Sequence, residues 1–369
     1  MLLFSVTPPY LIHESRMRKT MSGKKVVVGM SGGVDSSVAA YLLKRQGYDV
    51  TGVTMNHWQE EECGSPGAIE DAAKVAAQLG IPYEVIDCRE EFRKHVVDYF
   101  TSEYQKGRTP NPCVVCNRYV KWEALLRRSR KIGADYIATG HYARVERLEN
   151  GRFAIRNSVT AAKDQTYALY GLAQEQLART LMPVGGYTKE EIRAMAEEIG
   201  LTVAEKKDSQ EICFIPDHDY AGFIERECGR TAQPGNFVSA AGEILGRHKG
   251  IIHYTVGQRK GLGVAFGHPM FVTQIRPDTN EVVLGEDCDV FTDRLYANRL
   301  NFMSLPDIRE DTLLKAKIRY SHAGSSCRVT RVGEDEICCE FSEPVRAVTP
   351  GQAVVLYDGD YVAAGGTII

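Results

Sequence analysis

The sequence lacks the features of a membrane or secreted protein. No apolar run in its 369 residues approaches the roughly 18 residues that a membrane-spanning helix requires. The first 20 residues have neither the cationic start and long apolar core of a secretory signal nor the Arg- and Ser-rich pattern of a transit peptide. We therefore expect a cytoplasmic protein without a membrane partner. We also expect residues 1–20 to form a disordered extension.

The sequence is also poor in paired metal-binding motifs. Ten cysteines are present, but Cys113 and Cys116 form the one Cys-x2-Cys pair. A structural zinc site of this type needs a second such pair, and a chain without a secretory signal is not expected to hold a disulfide framework. We therefore expect no zinc, no iron–sulfur cluster and no other structural metal. A redox or sulfur-transfer role for the pair is favoured, and half a zinc site is the alternative.

The glycine-rich stretch at residues 29–37 lacks the Gly-Lys-Ser/Thr sequence of a Walker A loop. The apolar strand Val26–Val28 precedes it, and residues 36–47 follow with helical spacing. Backbone N–H groups at a helix start, together with the helix dipole, favour phosphate. A lysine-free Ser-Gly-Gly-Val-Asp-Ser loop resembles the PP-loop of ATP pyrophosphatases, which release pyrophosphate and transfer AMP. A plain strand-to-helix turn is the alternative, although such a turn needs only one glycine.

Positive charge is concentrated in one part of an acidic chain. The net charge is −3, yet residues 106–156 contain twelve Lys or Arg residues against four Asp or Glu residues. Such a block favours a surface for a polyanion such as RNA. For the run Arg127–Lys131, a solvated helix face is an equal alternative.

The hydrophobic pattern predicts an α/β fold followed by two β-rich parts. Up to residue 141, apolar strands alternate with helices of 12–17 residues, which is typical of βαβ units in a doubly wound parallel sheet. Ligands of such sheets bind beyond the carboxyl ends of the strands. A hairpin is predicted over 143–159, and helices are predicted over 117–133, 164–180 and 188–200. The expected catalytic domain is 21–215.

The remaining chain has a different pattern. Glycine becomes dense from Gly229, which predicts a small turn-rich domain over 216–285. Alternating strands over 286–369 predict a C-terminal antiparallel β-barrel. The strands are predicted at 313–320, 327–332, 336–341, 353–357 and 361–369.

Two cysteines are candidates for sulfur chemistry. Cys116 follows the turn Thr109–Pro112 and is predicted to lie at a helix start, where the dipole lowers the pKa of a thiol. Cys213 follows the loop Asp208–Glu211, which is expected to move. A cysteine followed by Phe-Ile is more often simply buried.

These segments together resemble the tRNA-specific 2-thiouridylases, bacterial enzymes that place sulfur on the wobble uridine of certain tRNAs. The resemblance runs from about Lys24 to the C-terminus. It is carried by the motifs Gly-Met-Ser-Gly-Gly-Val-Asp-Ser-Ser (29–37), Thr-Pro-Asn-Pro (109–112), Thr-Gly-His-Tyr-Ala (139–143), Lys-Asp-Gln-Thr-Tyr (163–167), Asp-Ser-Gln-Glu-Ile-Cys-Phe-Ile (208–215), Tyr-Thr-Val-Gly-Gln-Arg-Lys-Gly-Leu (254–262), Ile-Arg-Tyr (318–320) and Pro-Gly-Gln-Ala-Val-Val-Leu-Tyr (350–357).

The resemblance implies a fold and a reaction. The fold would be a PP-loop ATP pyrophosphatase domain of the adenine nucleotide α hydrolase type, followed by the two β-rich domains. The reaction would use ATP with Mg²⁺ to adenylate the uracil C2 oxygen. A cysteine persulfide would then supply sulfur, giving 2-thiouridine, AMP and pyrophosphate. The implied partners are tRNA and a sulfur-donor protein, either a cysteine desulfurase or a sulfur-relay carrier.

The resemblance also implies roles for individual residues. Cys213 would carry the persulfide, and Cys116 would be the resolving thiol. The target base would be bound by Asn111, Pro112 and Cys113. ATP would be bound by Gly29, Met30, Ser31, Gly32, Gly33, Val34, Asp35, Ser36, Met55 and Gly140. The residues that would contact tRNA are His141, Lys163, Asp164, Gln165, Arg319, Tyr320 and Gln352.

One departure from the family pattern matters: many relatives have aspartate where this chain has Cys113. Two other functions fit part of the pattern. A PP-loop synthetase for a small molecule would need neither paired cysteines nor a barrel, and it would release pyrophosphate without tRNA. A non-catalytic RNA-binding protein would not need a complete PP-loop.

Overall fold

The computed structural model describes residues 23–58, 67–204, 206, 212–308 and 311–369. The extension expected at residues 1–20 and the loop Asp208–Glu211 lie outside the described residues.

The first part of the chain forms a five-stranded parallel sheet. Its strands are β1 (Lys25–Gly29), β2 (Asp49–Asn56), β3 (Tyr83–Asp87), β4 (Tyr136–Ala138) and β7 (Thr180–Leu181), in the order β3-β2-β1-β4-β7. All neighbours in this sheet are parallel. The strand order reverses between β1 and β4, so a crevice is expected at their carboxyl ends. The predicted doubly wound parallel sheet is confirmed.

Both faces of this sheet are covered, which explains the continuous apolar run of β1. Val26 and Val28 pack into one core cluster with helix residues such as Val38, and Val27 packs into a second cluster with Leu125. Successive side chains of a strand point to opposite faces, so a strand between two helical layers needs apolar residues at every position.

The helices lie mainly in the first part of the chain. They are α1 (Val34–Arg45), α2 (Ala68–Leu79), α3 (Arg89–Phe92), α4 (Asp98–Gln105), α5 (Pro112–Cys116), α6 (Trp122–Lys131), α7 (Thr166–Leu169), α8 (Gln174–Ala178), α9 (Lys189–Glu198) and α10 (Tyr220–Cys228). A π-helical turn, Arg93–Val97, joins α3 to α4, and a second one, Asn117–Lys121, joins α5 to α6. Short 3-10 helices are Ala161–Lys163, Pro183–Gly186, Ile251–His253 and Asp287–Val290.

Two helix predictions were wrong. The helix expected from about Asn117 already begins at Pro112, because Asn111 caps it and proline is favoured in a first helical turn. The single helix expected over 164–180 is instead the short helices α7 and α8 followed by β7. Leu181 O accepts from Thr139 N, so this segment ends by completing the parallel sheet.

The middle of the chain forms a four-stranded sheet. Its strands are β8 (Gly235–Val238), β9 (Ile244–His248), β10 (Phe271–Arg276) and β11 (Glu281–Gly285), in the order β10-β11-β8-β9. The sequence analysis predicted this turn-rich β module but missed helix α10, which precedes it.

The C-terminal part forms a closed antiparallel barrel of six strands, as predicted. They are β12 (Phe291–Phe302), β13 (Thr312–Lys317), β14 (Ser325–Gly333), β15 (Glu336–Arg346), β16 (Ala353–Asp358) and β17 (Tyr361–Ile368). Pairing of β12 with both β15 and β17 closes the barrel. Strand β12 was missed in the sequence because Leu295 and Ala297 are its only fully buried residues, so it shows little apolar alternation.

The barrel is joined to the first domain by side chains and by a shared strand pair. The predicted hairpin, β5 (Ala143–Arg147) and β6 (Phe153–Asn157), pairs with β17 through Arg156 and Tyr361. Gln352 Nε2 donates to Thr109 O at 2.9 Å, and Thr109 N donates to Pro350 O at 2.8 Å. The barrel therefore contacts the turn that leads into helix α5.

Candidate active site

The loop between β1 and α1 leaves the start of a helix open to a ligand. Gly33 occupies the N-cap position, and no side chain caps the helix. Gly32 has φ +68°, and a Cβ there would lie 2.3 Å from Ala68 O, so only glycine fits. Ser36 Oγ accepts from Ser31 N at 3.1 Å, which holds the loop closed. The uncapped N–H groups at this helix start suit the phosphates of ATP.

Not every residue of the predicted ATP loop can reach a ligand through its side chain. Met30 and Val34 are 1% and 3% exposed. Met30 N donates to Val53 O, and Met30 O accepts from Thr54 Oγ1 at 2.7 Å. These two residues therefore shape the loop from the core side, and the loop offers a ligand its backbone.

The carboxylate of Asp35 is bound by two residues that the sequence analysis missed. Tyr142 Oη donates to Asp35 Oδ1 at 2.8 Å, and Lys189 Nζ lies 2.7 Å from the same oxygen. The Lys189 side chain is 7% exposed, and its ammonium lies 5.8 Å from the centre of the Tyr142 ring. The loop itself has no lysine, but helix α9 brings one beside it.

The loop after β4 packs directly on the PP-loop, as expected for the two sides of the crevice. A Cβ at Gly140 would lie 2.5 Å from Ser36 N and 2.6 Å from Asp35 C. This contact explains why glycine is needed at position 140. Met55, the third predicted contribution to ATP binding, lies near the carboxyl end of β2, the neighbour of β1.

Helix α5 places the two paired cysteines differently from the prediction. Asn111 Oδ1 accepts from Cys113 N at 3.1 Å, so Cys113 is the cysteine at the helix start. Cys116 lies one turn later and is buried, and this burial raises the pKa of its thiol to about 11. The expectation that Cys116 occupies a helix start was therefore wrong. The Cys113 residue is exposed at the surface, and desolvation of its thiol by the surrounding protein raises the pKa of that thiol as well.

Lys121 links the three candidate cysteines electrostatically. Burial opposes its charge, but interactions with Cys116, Cys113 and Cys213 raise its pKa overall. The π-helical turn accounts for this position, because Trp122 N–H bonds to Asn117 O, five residues back. In such a turn residue i+5 comes over residue i, so Lys121 lies on the Cys116 side of the helix. The sequence pattern contained no signal for this residue.

Cys213 lies against the edge of the parallel sheet. Its Sγ is 3.7 Å from His57 Nε2, and His57 Nδ1 lies 3.0 Å from Met55 O. If Nδ1 carries the proton for that carbonyl, Nε2 is left to accept from the Cys213 thiol. Burial lowers the pKa of His57, which favours the neutral ring. Cys213 also packs against the apolar cluster that contains buried Cys116.

A short chain of contacts connects the loop to the cysteines. His141 follows Gly140, and its ring centre lies 5.5 Å from that of Trp122, the residue after Lys121. Burial, with a smaller effect of Lys121, lowers the pKa of His141 to about 3. The predicted ATP loop and the three cysteines therefore lie at one edge of the sheet.

Apart from His141, the predicted tRNA-contacting residues lie near the junction of the barrel and the first domain. Tyr320 Oη donates to Asp164 O at 3.0 Å, and an electrostatic effect of Cys113 on Tyr320 places these residues near each other. Gln165 Oε1 accepts from Tyr142 N at 2.8 Å. Arg319 donates to Arg346 O. These residues hold local structure together, and the exposed ring of Tyr320 faces solvent beside Lys163.

Much of the basic block is used within the protein. Arg127 pairs with Glu91 at 2.8 Å, and Arg128 pairs with Glu84. Arg152 donates to Met303 O and Phe302 O of the barrel. These contacts favour the interpretation of Arg127 and Arg128 as an ordinary ion-paired helix face.

Metal ligands are not gathered in the part of the chain that the structure describes. No group of three or more His, Cys, Asp or Glu side chains there is arranged to hold a metal ion. Magnesium is commonly held by one or two carboxylates together with substrate phosphates. Asp35 fits such a role, since its hydrogen bonds with Tyr142 and Lys189 are both made by Oδ1. No helix among the described residues is long and apolar enough to cross a membrane.

Comparisons with known proteins cover the whole described architecture. Residues 24–217 match a family model described as a tRNA methyl transferase HUP domain, 221–286 a tRNA methyl transferase PRC-barrel domain, and 292–368 an aminomethyltransferase β-barrel domain. A tRNA-specific 2-thiouridylase MnmA of Lachnoclostridium phytofermentans is 64% identical, over 94% of this chain and 99% of that protein. A protein of the same name from Clostridioides difficile is 52% identical, over 94% and 98%.

Solved structures resemble the chain more distantly. One is the U34-tRNA thiolase NcsA from Methanococcus maripaludis with its [4Fe-4S] cluster, which has 18% identity, a TM-score of 0.37 and coverage of 59% of this chain and 73% of that one. Another is a 4-thiouridine synthetase–RNA complex with bound ATP, with 19% identity, a TM-score of 0.36 and coverage of 53% and 46%.

Proposed function

The chain belongs to the family of tRNA-specific 2-thiouridylases, and we propose that it uses ATP to convert the wobble uridine of tRNA to 2-thiouridine in the cytoplasm. The observation that carries this proposal is the single sheet edge at which the PP-loop, Gly140 and His141 lead to Lys121 and the three cysteines. A nucleotide loop beside reactive sulfur fits a reaction that activates an oxygen and then replaces it.

The first step activates the uracil. Its C2 carbonyl is a poor electrophile with a poor leaving oxygen, so the C2 oxygen attacks the α-phosphate of ATP, and pyrophosphate leaves. The uncapped start of α1 would hold phosphates with its N–H groups, and Asp35 would hold Mg²⁺ beside them. Lys189, which lies beside Asp35, would contact phosphate as well.

The second step transfers sulfur. Cys213 would receive an outer sulfur from a donor protein and become a persulfide, and this outer sulfur attacks C2 and expels AMP. The Cys116 thiolate then attacks the inner sulfur of Cys213. The S–S bond breaks, its electron pair stays on the sulfur bound to C2, and a Cys116–Cys213 disulfide forms. A dithiol reductant must reduce this disulfide before another cycle.

Lys121 and His57 are proposed to control the thiols. Cys116 is mostly protonated at neutral pH because burial raises its pKa to about 11, so it needs a nearby cation or base when it attacks. Lys121 supplies the cation, and its effect on Cys116 opposes the burial. His57 Nε2 is positioned to take a proton from Cys213.

The RNA would reach this site from the side of the barrel. The target base would leave the anticodon stack and lie against Asn111, Pro112 and Cys113. Contacts to the RNA would come from His141, Lys163, Asp164, Gln165, Arg319, Tyr320 and Gln352. The direct sulfur donor would be a cysteine desulfurase or a sulfur-relay carrier.

The proposal is tested by mass analysis of tRNA nucleosides from cells that lack this protein. We expect 2-thiouridine derivatives to disappear at the wobble position and to return with the wild-type gene but not with Asp35→Ala. In the purified system the tRNA-dependent products should be AMP and pyrophosphate. Unchanged nucleosides would contradict the function, and pyrophosphate release without tRNA would favour a small-molecule synthetase.

A further inference from the structure

A cavity of about 240 Å³ lies between the first domain and the barrel, next to the candidate active site. Asn111, which caps the cysteine helix, forms part of its wall, and Gly351 and Thr367 of the barrel form another part. Pockets for drug-sized ligands usually have about 300–1,000 Å³. This cavity is therefore suited to a single nucleotide rather than to a long ligand.

The charge of the cavity is positive. Lys94, Arg118 and Arg299 line it, and none of its lining residues is acidic. Most other arginines in residues 106–156 have partners, such as Arg127 with Glu91. By contrast, no carboxylate among the described residues lies within ion-pair distance of these three cations. Three unpaired cations around one cavity favour an anionic ligand.

The cavity also contains aromatic surface suited to a base. The rings of His95 and Tyr119, which come from the two π-helical turns, are stacked with centres 5.6 Å apart and planes 18° apart. The Arg118 guanidinium lies 5.1 Å from the centre of the Tyr119 ring. Tyr119 is 43% exposed, so part of its ring is accessible. Aromatic rings beside arginine are the usual platform for unstacked nucleotides.

The backbone at Arg299 is held in an unusual conformation. Its φ is +53°, in the left-handed region that non-glycine residues rarely adopt, and it lies in a bulge of β12 between Asn298 and Asn301. Asp335 stabilises this bulge by accepting from Arg299 N at 2.9 Å and Leu300 N at 2.8 Å. Bulges re-aim side chains, and such strain is often found at functional sites. Here the bulge lets Arg299 line the cavity.

We propose that this cavity binds a second nucleotide of the RNA, the one next to the target uridine. Its base packs against the exposed part of the Tyr119 ring, and its phosphates contact Arg118 and Arg299. The neighbouring nucleotide is the one in reach, because Asn111 lies in the wall of the cavity and in the turn assigned to the target base. This inference rests on the proposed function, and it makes the cavity a second point at which the enzyme holds the anticodon loop open.

The test measures binding of an anticodon stem-loop RNA in three forms: intact, or with an abasic nucleotide on either side of the target uridine. We expect Tyr119→Leu to weaken binding of the intact RNA roughly tenfold, the size typical of one stacked base. One of the two abasic RNAs should bind wild type more weakly by a similar factor. That RNA should lose nothing further with Tyr119→Leu. Tyr296→Leu, an exposed tyrosine outside the cavity, is the control.

A second measurement addresses the cations. Arg118→Gln combined with Arg299→Asn should flatten the slope of log affinity against log salt by about 1.4, or about 0.7 for each phosphate contact to a single strand. Asparagine is chosen at position 299 because it tolerates positive φ. The control pair, Arg127→Gln with Arg130→Gln, should leave the slope almost unchanged.

The proposal would be overturned if Tyr119→Leu weakened binding of both abasic RNAs as much as it weakens binding of the intact RNA. It would also be overturned if neither Tyr119→Leu nor an abasic nucleotide reduced the affinity. If Tyr119→Leu weakens binding of uridine monophosphate but not of RNA, the cavity is a mononucleotide site and the proposal is also wrong. If wild-type enzyme forms 2-thiouridine but the effects of Tyr119→Leu and of the abasic RNA are independent, only the proposed role of the cavity is wrong. If Tyr119→Leu causes no further loss with the abasic RNA, but wild-type enzyme forms no 2-thiouridine, the proposed function is wrong.

Discussion

Lys189 Nζ lies 2.7 Å from Asp35 Oδ1, although the two residues are 154 positions apart in the chain. The contact places a nearly buried ammonium beside the PP-loop, which is proposed to bind phosphate and has no lysine of its own. A cation near the loop would stabilise negative charge that develops as pyrophosphate leaves.

We expect Lys189→Met to reduce tRNA-dependent AMP formation about 100-fold, the size of effect typical when one electrostatic contact to a transition state is lost. The assay measures AMP from labelled ATP. Lys74→Met, which removes an exposed lysine of helix α2, is the control and should keep normal activity. A variant with normal AMP formation would show that Lys189 serves only the structure of the loop.

Gly140→Ala should weaken ATP binding at least tenfold, because a Cβ at this position would lie 2.5 Å from Ser36 N and would displace the start of α1. The dissociation constant for ATP is measured by calorimetry. Gly186→Ala is a matched control, since a Cβ there meets no atom within 4 Å. Equal ATP affinity in the two variants would contradict the assignment of the β4 loop to the nucleotide site.

Lys121→Met should slow alkylation of Cys116 by iodoacetamide several-fold at pH 8, because loss of the nearby ammonium raises the thiol pKa further above its value of about 11. Peptide mass spectrometry measures the rate for each cysteine. Lys131→Met, at the exposed end of helix α6, which follows Lys121, should leave the rate unchanged. Faster alkylation in Lys121→Met would mean that burial rather than charge limits the reaction.

His141 should make the protein less stable in acid. Its pKa is lowered to about 3 in the folded state, mainly by burial, whereas the unfolded chain has the ordinary value near 6.5. The unfolded state therefore binds the extra proton first as pH falls. His141 should therefore not lower the free energy of unfolding above about pH 6.5. Below that pH it should lower this free energy by up to about 1.4 kcal/mol for each pH unit, until about pH 3.

The measurement is the denaturation midpoint at pH 7 and at pH 5. His141→Asn should lose less stability over this interval than wild type does. His268→Asn, at an exposed residue, should behave like wild type. If the stability of His141→Asn depended on pH in the same way as that of wild type, His141 would not be the cause of the loss of stability in acid.

Local patterns in the sequence account for much of the fold. The valines of β1, the helical spacing of α1 and the helix predicted over 188–200 are local features, and each formed close to where it was predicted. In the structure a capping box of Thr188 and Glu191 begins this last helix, α9. Strand β12 was missed because its fold depends on barrel pairing and on a bulge at Arg299 rather than on apolar alternation. Strand β7 was missed because it has only two residues, which is too short for an alternation of apolar and polar residues to be recognised in the sequence.

The candidate site divides in the same way. The glycines of the PP-loop and the paired cysteines could be named as candidates because each motif lies in one stretch of chain. Lys189, Tyr142 and His57 were missed, since each reaches its partner across the fold. Lys121 was missed because a π-helical turn changes which residues share a helix face.

The central claim is that sulfur passes through Cys213 and Cys116 beside the PP-loop. Cys213→Ser should abolish thiolation and retain ATP and tRNA binding. Cys116→Ser should also abolish it while persulfide accumulates on Cys213, and Cys113→Ser should retain substantial activity. A uniform loss of stability in all three variants would instead indicate structural cysteines.

Peptide mapping of enzyme trapped during turnover, without reductant, tests this claim most directly. The enzyme is incubated with ATP, tRNA and a sulfur donor, quenched in acid and digested. We predict a disulfide-linked peptide pair that joins Cys116 to Cys213 and that forms only when tRNA and ATP are both present. A link between Cys113 and Cys213 in its place would contradict the account.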